Sequence, residues 1–182
     1  MKQLMLIALV LGFISCGGPE PRRPVKVKSG SLNSSVERNK KLLALEEGII
    51  QKIIESDSLH QYLNSNTGTR YYYDIAIEGI TNTPVPDDLV TMSYNVVTFT
   101  NDTLYSMQDI GVFKYKVDKQ ELFPGLRNSV KLLKEGESAT FLFPSSLAYG
   151  YHGDENKIGI NVPFKSTISL FKIEKQVDSI QN

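Results

Sequence analysis

Residues 123–150 read FPGLRNSVKLLKEGESATFLFPSSLAYG. Phe123-Pro124-Gly125 opens a short helix, since proline is tolerated in the first turn, where its missing N–H costs nothing. Leu126, Val130 and Leu133 then fall on one helical face. Lys134-Glu135-Gly136 ends the helix with a glycine just past the last turn. From Ser138 to Phe143 the period changes to two, and Ala139, Phe141 and Phe143 point to one side of a strand. A glycine-bearing loop follows from Pro144 to Pro163.

Working outward, the same alternation recurs on both sides. Beyond the loop, Thr167–Lys175 is a final strand. Upstream, Val112–Val117 is another. Leu89–Phe99 is a long β-rich run, and Asn101-Asp102 turns it into Thr103–Met107. Thr83-Pro84-Val85-Pro86-Asp87-Asp88 is a turn. Before it, Tyr71, Tyr73, Ile75 and Ile77 alternate with Tyr72, Asp74, Ala76 and Glu78. Strands joined by hairpins around one short helix imply an α+β domain with an antiparallel sheet. Ahead of the sheet, Ser34–Ser58 has an amphipathic helical pattern. Leu42, Leu45, Ile49 and Ile53 form its stripe, with Leu43, Ile50 and Ile54 beside them. Such a stripe must bury against the following domain or against a second copy, as a homodimer through the 34–58 helix.

The N-terminus carries a different signal. Lys2, the apolar run Leu4–Ile14 and Ser15-Cys16-Gly17-Gly18 describe a secretory signal, and the run is too short to span a bilayer. Cys16 is the only cysteine of the chain and stands at the cleavage point. The segment resembles a bacterial lipobox, with Phe13 in place of the usual leucine. That resemblance makes Cys16 the lipidation site and the membrane a partner through an N-terminal lipid anchor. The expected location is the bacterial cell envelope, facing the periplasm. A Gly-, Pro- and Ser-rich stretch with Arg22, Arg23, Lys26 and Lys28 follows as a tether. The expected organisation is thus a signal peptide over 1–15, lipidated cysteine and tether over 16–33, a helical segment over 34–66, the main domain over 67–177 and a tail over 178–182.

The 182 residues are 41% hydrophobic, with 20 basic and 20 acidic side chains and a net charge of zero. No field of one sign favours nucleic acid. One cysteine excludes an internal disulfide and a cysteine-rich metal site. His60 and His152 sit in no motif suggesting a triad or a metal. No cofactor is expected.

Between about Leu89 and Ile173 the chain resembles the FKBP family of peptidyl-prolyl cis–trans isomerases. The resemblance rests on Phe123-Pro124-Gly125-Leu126, Val130, Leu133, Gly136, Glu137, Ala139, Phe141, Phe143-Pro144 and Leu147-Ala148-Tyr149-Gly150. It implies a half-wrapped antiparallel sheet around the short helix, with the active site on the concave face. By position, it lines that site with Tyr94, Tyr105, Phe113, the pair Leu122-Phe123, Leu126 as floor, and Tyr149 as hydrogen-bond donor to the substrate. Ile160 and Val162 lie in the covering loop, and Phe171 is the last wall, Leu170 taking that place if the strand carries no bulge. Phe141 and Phe143 are core. Two positions depart from the family: Leu126 replaces the usual tryptophan and Ser106 the usual aspartate, changes that bear more on tight macrocycle binding than on catalysis.

The resemblance implies isomerase activity on proline-containing polypeptides, assisting the folding of envelope or secreted proteins. A non-catalytic chaperone or proline-binding module on the same scaffold is the alternative. The lipobox, the helical stretch with Lys40, Lys41, Glu46, Glu47 and Ile53-Ile54, and Tyr71-Tyr72-Tyr73 also resemble gliding-motility-associated FKBP lipoproteins.

Overall fold

The structure is a computed structural model that describes residues 29–79 and 82–176. Cys16, the signal segment 1–15, the tether up to residue 28 and the tail 178–182 lie outside them. The elements are α1 (Ser29–Ser56), β1 (Leu63–Asn64), β2 (Arg70–Ile75), β3 (Leu89–Tyr94), β4 (Val96–Thr98), β5 (Thr103–Tyr105), α2 (Met107–Ile110), β6 (Phe113–Lys116), α3 (Pro124–Val130), β7 (Ser138–Phe143), a 3-10 turn (Ser145–Leu147) and β8 (Phe164–Glu174). All strand pairs are antiparallel, in the order β1-β2-β7-β8-β3-β6, with β4 bridging β5 and β8. This is the α+β architecture expected, an open sheet with one short helix against it.

β7 lies inside the sheet between β2 and β8, and every residue of it is buried. Phe141 and Phe143 stack with centroids 5.9 Å apart, and Tyr71 stacks on Phe141 at 5.0 Å. The helix α3 closes this face with Leu126 and Val130, and Leu133 follows, all three fully buried. Each such side chain contributes about 1.5–3 kcal/mol by leaving water. Gly125 permits the close approach, because a Cβ there would stand 2.5 Å from the Phe143 ring and 2.7 Å from the Leu147 carbonyl. Glu137, 1% exposed, stands just before β7 and ties it to neighbouring segments. Its two carboxylate oxygens accept the N–H groups of Ile77 and Lys134, each at 2.9 Å.

Several boundaries differ from the sequence reading for local reasons. The run 89–99 breaks at Asn95, whose side chain accepts the Thr167 N–H at 2.7 Å. The strand expected to reach Met107 stops at Tyr105, because Ser106 caps α2 in a reciprocal capping box with Asp109. A register shift in β2 between Tyr73 and Ile75 leaves Ile75 56% exposed instead of inward.

The helix α1 runs from Ser29 to Ser56, starting earlier and ending sooner than 34–58. It ends where the Asp57 side chain captures the Leu59 N–H in a local turn. Its buried ridge matches the expected one only in part, at the half-buried Leu42 and Ile53. Leu45 and Ile49 are 68% and 45% exposed, whereas Glu46 and Ile50 are 3% and 2%. The apolar arc is broad enough to offer two neighbouring ridges. The one chosen lets Glu46 Oε2 accept the Ser145 N–H at 2.9 Å, at the end of β7. The described residues from Glu37 onward form one compact unit with the sheet.

Candidate active site

Five different elements bring the expected site residues together. Tyr94 ends β3, Tyr105 ends β5 and Phe113 opens β6. Leu122 and Phe123 lead into α3, which carries Leu126, and Tyr149 follows the turn after β7. Phe123 is the hub. Its ring meets Tyr94 at 6.0 Å, Tyr149 at 5.2 Å, and Phe143 and Phe164 at 5.5 Å each. Tyr94 meets Phe113 edge-on at 6.0 Å. Edge-to-face packing of this kind suits the charge distribution of aromatic rings.

Burial divides the set into two layers. Tyr94, Phe123 and Leu126 are buried and make a floor. Tyr105, Phe113, Leu122, Tyr149 and Val162 are half-buried against the same core, leaving part of each ring or chain open to a ligand. The arrangement is an apolar cup whose bottom is filled by the protein itself. Leu126 is fully enclosed, so the substrate meets the floor chiefly through its neighbours.

The remaining expected residues are Ile160, of the covering loop, and Phe171, of the wall. Ile160 is 59% exposed on its loop. Phe171 is 48% exposed, because the buried alternation of β8 runs through Phe164, Ser166, Ile168 and Leu170 and leaves residue 171 on the other face. Leu170 fills the core although β8 does carry a bulge, since the register with β3 jumps only between Leu170 and Lys172. The aromatic that β8 does supply is Phe164, fully buried and 6.3 Å from Tyr149. Its signal was present: Phe164, Ser166, Ile168 and Leu170 alternate, but a strand begun at Thr167 cuts the first two off.

The hydroxyls of the cup are held as donors. Burial first, and then the neighbouring Tyr94, push the Tyr149 phenol far above its ordinary range. Burial also raises Tyr94, and the Tyr149 hydroxyl partly offsets that. Both stay protonated at any physiological pH.

The rim contains a carboxylate that residue types alone did not reveal. The Tyr105 hydroxyl donates to Asp154 Oδ2. Asp154 Oδ1 also takes the N–H groups of Ile158 at 2.6 Å and Asn156 at 3.0 Å. Asp154 N–H donates back to the Ile158 carbonyl at 3.0 Å, and Asn161 N–H to the Gly150 carbonyl at 2.8 Å. Gly153, with φ +70°, makes this closure possible, since a Cβ there would stand 2.4 Å from the Ile158 oxygen. The loop over the cup is thus fixed from inside, and Ile158 is 2% exposed beneath it. Because the Ile158 and Asn161 N–H groups are occupied, main-chain donors to a substrate fall to Gly159, Ile160 or Val162. Ser106 does not leave the rim uncharged. It caps α2, and the charge comes from Asp154, 49 residues from Tyr105 along the chain.

Burial pushes the Asp154 carboxyl up, but the Tyr105 hydroxyl and the loop N–H groups outweigh it and hold it below the usual carboxylate range. A depressed value in the folded state adds stability that is present above the ordinary carboxylate pKa (~3.9) and fades as pH falls through the folded value. The loop is therefore expected to keep constant amide-exchange protection at Ile158 from pH 5 to 8 and to lose it below about pH 4. Asp154→Ala should remove that pH step and raise KM several-fold through a loosened rim, as the three hydrogen bonds that its carboxylate accepts are lost.

The sequence profile of the FKBP-type peptidyl-prolyl cis-trans isomerase family matches residues 81–174. A probable FKBP-type peptidyl-prolyl cis-trans isomerase FkpA of Neisseria meningitidis serogroup B is 33% identical over 107 residues, 59% of this chain. The chain spans 39% of the length of that relative. A crystal structure of a peptidyl-prolyl cis-trans isomerase from Pseudomonas syringae pv. tomato superposes with a TM-score of 0.59 at 15% identity. It covers 75% of this chain and 96% of its own, a likeness of fold.

Proposed function

Because this chain belongs to the FKBP-type peptidyl-prolyl cis-trans isomerase family, we propose that its aromatic cup accelerates rotation about Xaa-Pro bonds of polypeptide clients. The observation that carries this reading is the interlocked set Tyr94, Phe113, Phe123 and Tyr149, with a half-buried upper layer.

The barrier to rotation, ~18–20 kcal/mol, is amide resonance lost as the C–N bond twists. No covalent bond breaks, so no acid, base or metal is needed. A twisted amide has a less polar carbonyl than a planar one and is easier to take out of water. A cup built of Phe113, Leu122, Val162 and ring faces therefore binds the twisted form better, which is what lowers the barrier. The Tyr149 hydroxyl, kept protonated, donates to the client's main chain and holds the flanking residues in the required turn.

A proline-limited peptide assay tests the reading, and the protein should accelerate exchange well beyond the uncatalysed tens to hundreds of seconds. Tyr149→Phe should slow it by only a few-fold to about ten-fold, since one neutral hydrogen bond contributes about 0.5–1.5 kcal/mol. A parent protein with no effect on the rate would rule the enzyme out. The second reading, a chaperone or proline-binding module, is favoured by the exposed Leu45 and Ile49 on α1. It would show as suppressed aggregation without acceleration. The same two residues are the surface through which a homodimer would form.

The cellular setting is part of the proposal. Cys16 carries a lipid that anchors the protein in the envelope, facing the periplasm, where newly secreted chains are its clients. The likeness of the helical and Tyr71-Tyr72-Tyr73 segments to gliding-associated lipoproteins adds that this assistance to envelope protein folding supports gliding motility. Cys16→Ala should move the protein from the membrane fraction to the soluble one, or leave an unprocessed precursor. Processed, membrane-bound Cys16→Ala protein would refute the anchor.

A further inference from the structure

A groove of about 350 Å³ runs between α1 and the loop that follows β7. Leu42, Leu43, Glu46, Ser146, Tyr151 and Asn161 line it. It adjoins the cup through one loop: Tyr149 faces the cup, while Gly150 and Tyr151 line the groove. Its size lies in the range of sites that hold small ligands or single side chains with part of their backbone (about 300–1,000 Å³).

Glu46 makes this groove more than a crease. The residue is 3% exposed, and one carboxylate oxygen accepts the Ser145 N–H at 2.9 Å. The other, Oε1, is buried without any hydrogen-bond partner. No ion pair of Glu46 occurs among the described residues, in contrast to the buried Asp88 and Glu137, which have Lys175 and Lys134. A buried charge without a partner is costly, and a carboxylate can only accept hydrogen bonds. What the position lacks is a donor, and a cationic donor most of all. Arg38 also lines the groove, but it is exposed, and solvent and salt screen its charge.

We propose that the groove is a second binding site for the client, taking a lysine or arginine side chain a few residues from the proline held in the cup. The methylene stem lies along Leu42 and Leu43, and the cationic head reaches Glu46 Oε1. The client main chain crosses from Tyr149 to Gly150, so one loop sets the distance between the proline and the basic residue. This rests on the isomerase reading only for the neighbouring cup. It makes the enzyme selective for prolines flanked by a basic residue, with α1 as part of the binding surface.

The test uses alanine-based host peptides with one proline and a single lysine moved through successive positions on either side. At one offset, lysine should raise kcat/KM roughly ten-fold over alanine or glutamate, the effect of one charge-assisted hydrogen bond. Glu46→Gln, which keeps an acceptor for Ser145, should abolish that gain and leave the all-alanine peptide unchanged. Ser146→Arg, an exposed position that fills the groove with like charge, should do the same if Glu46→Gln fails to fold. A proline-free alanine–lysine peptide should shift the NMR amide signals of Ser145, Ser146 and Asn161, and not those of Tyr94 or Phe113. Lysine without effect at every offset, or a gain that survives both variants, would overturn the proposal and leave the carboxylate simply hydrated. Should no proline peptide turn over while the lysine peptide still shifts the groove, the isomerase reading falls and the groove stands.

Discussion

A chain that begins at Gly68 is expected to lose most of its stability. Its urea midpoint should fall far below that of the chain beginning at Glu37, with a shallower transition. The deletion removes the burial of Ile50, which contributes about 1.5–3 kcal/mol. It also strips the Ser145 N–H of its buried acceptor, Glu46, at about 1–3 kcal/mol. Beyond that, β2 loses its edge partner β1, and Tyr72 loses the rings of His60 at 3.9 Å and Tyr62 at 5.1 Å. Thr69, 1% exposed, loses the Ser65 hydroxyl that takes its N–H. The sum, on the order of 5 kcal/mol, is comparable with the whole stability of many domains (about 5–15 kcal/mol). An unchanged midpoint would show that the sheet from Gly68 onward is self-sufficient and that α1 is an appendage.

Phe113→Ala and Phe123→Ala should separate catalysis from folding. Phe113 is half-buried at the rim of the cup and meets one ring, Tyr94. Its loss should leave the unfolding midpoint within a modest range of the parent. It should still lower kcat/KM roughly ten- to hundred-fold, because the apolar surface offered to the twisted carbonyl is gone and each 1.36 kcal/mol is a factor of ten. Phe123 is 6% exposed and touches four rings. Truncating it should destabilise the fold by about 3–5 kcal/mol, the usual cost of a cavity left by a buried aromatic. Stopped-flow peptide assays run beside urea titrations read both quantities. Equal catalytic and stability losses in the two variants would mean that the rim and the floor are one packed core with no binding layer.

The sequence carried the fold of residues 89–174 almost completely. Helical and strand periods are local properties, and Phe123–Gly150 contains both in immediate succession with a proline and glycines at the junctions. The family resemblance, not the periodicity, pointed to Tyr94, Phe113, Leu122, Phe123, Leu126 and Tyr149; in the structure Tyr94, Phe123 and Leu126 belong to the buried core and Phe113, Leu122 and Tyr149 pack against it. Composition and charge excluded an internal disulfide and favoured no nucleic acid, since those depend on residue counts and not on geometry.

Two features were decided only by tertiary structure, and a third was legible in the sequence only with the right strand start. Which ridge of α1 is buried depended on a carboxylate at Glu46 meeting an N–H at Ser145, 99 positions away. A broad apolar arc gives no preference between neighbouring ridges until a partner presents itself. Phe171 faces outward because the buried alternation Phe164, Ser166, Ile168, Leu170 runs unbroken from the start of β8, a start that the sequence reading placed three residues too late; the register jump opposite Thr91 and Met92 comes only after Leu170. The rim charge came from Asp154 rather than from the position next to Tyr105, because the hydroxyl needed an acceptor in space and the Gly153 turn brought one there. Local pattern specifies elements and their apolar faces. Pairings between polar groups far apart in the chain, and one-residue shifts in register, are settled only when the elements pack and each buried donor must find its acceptor.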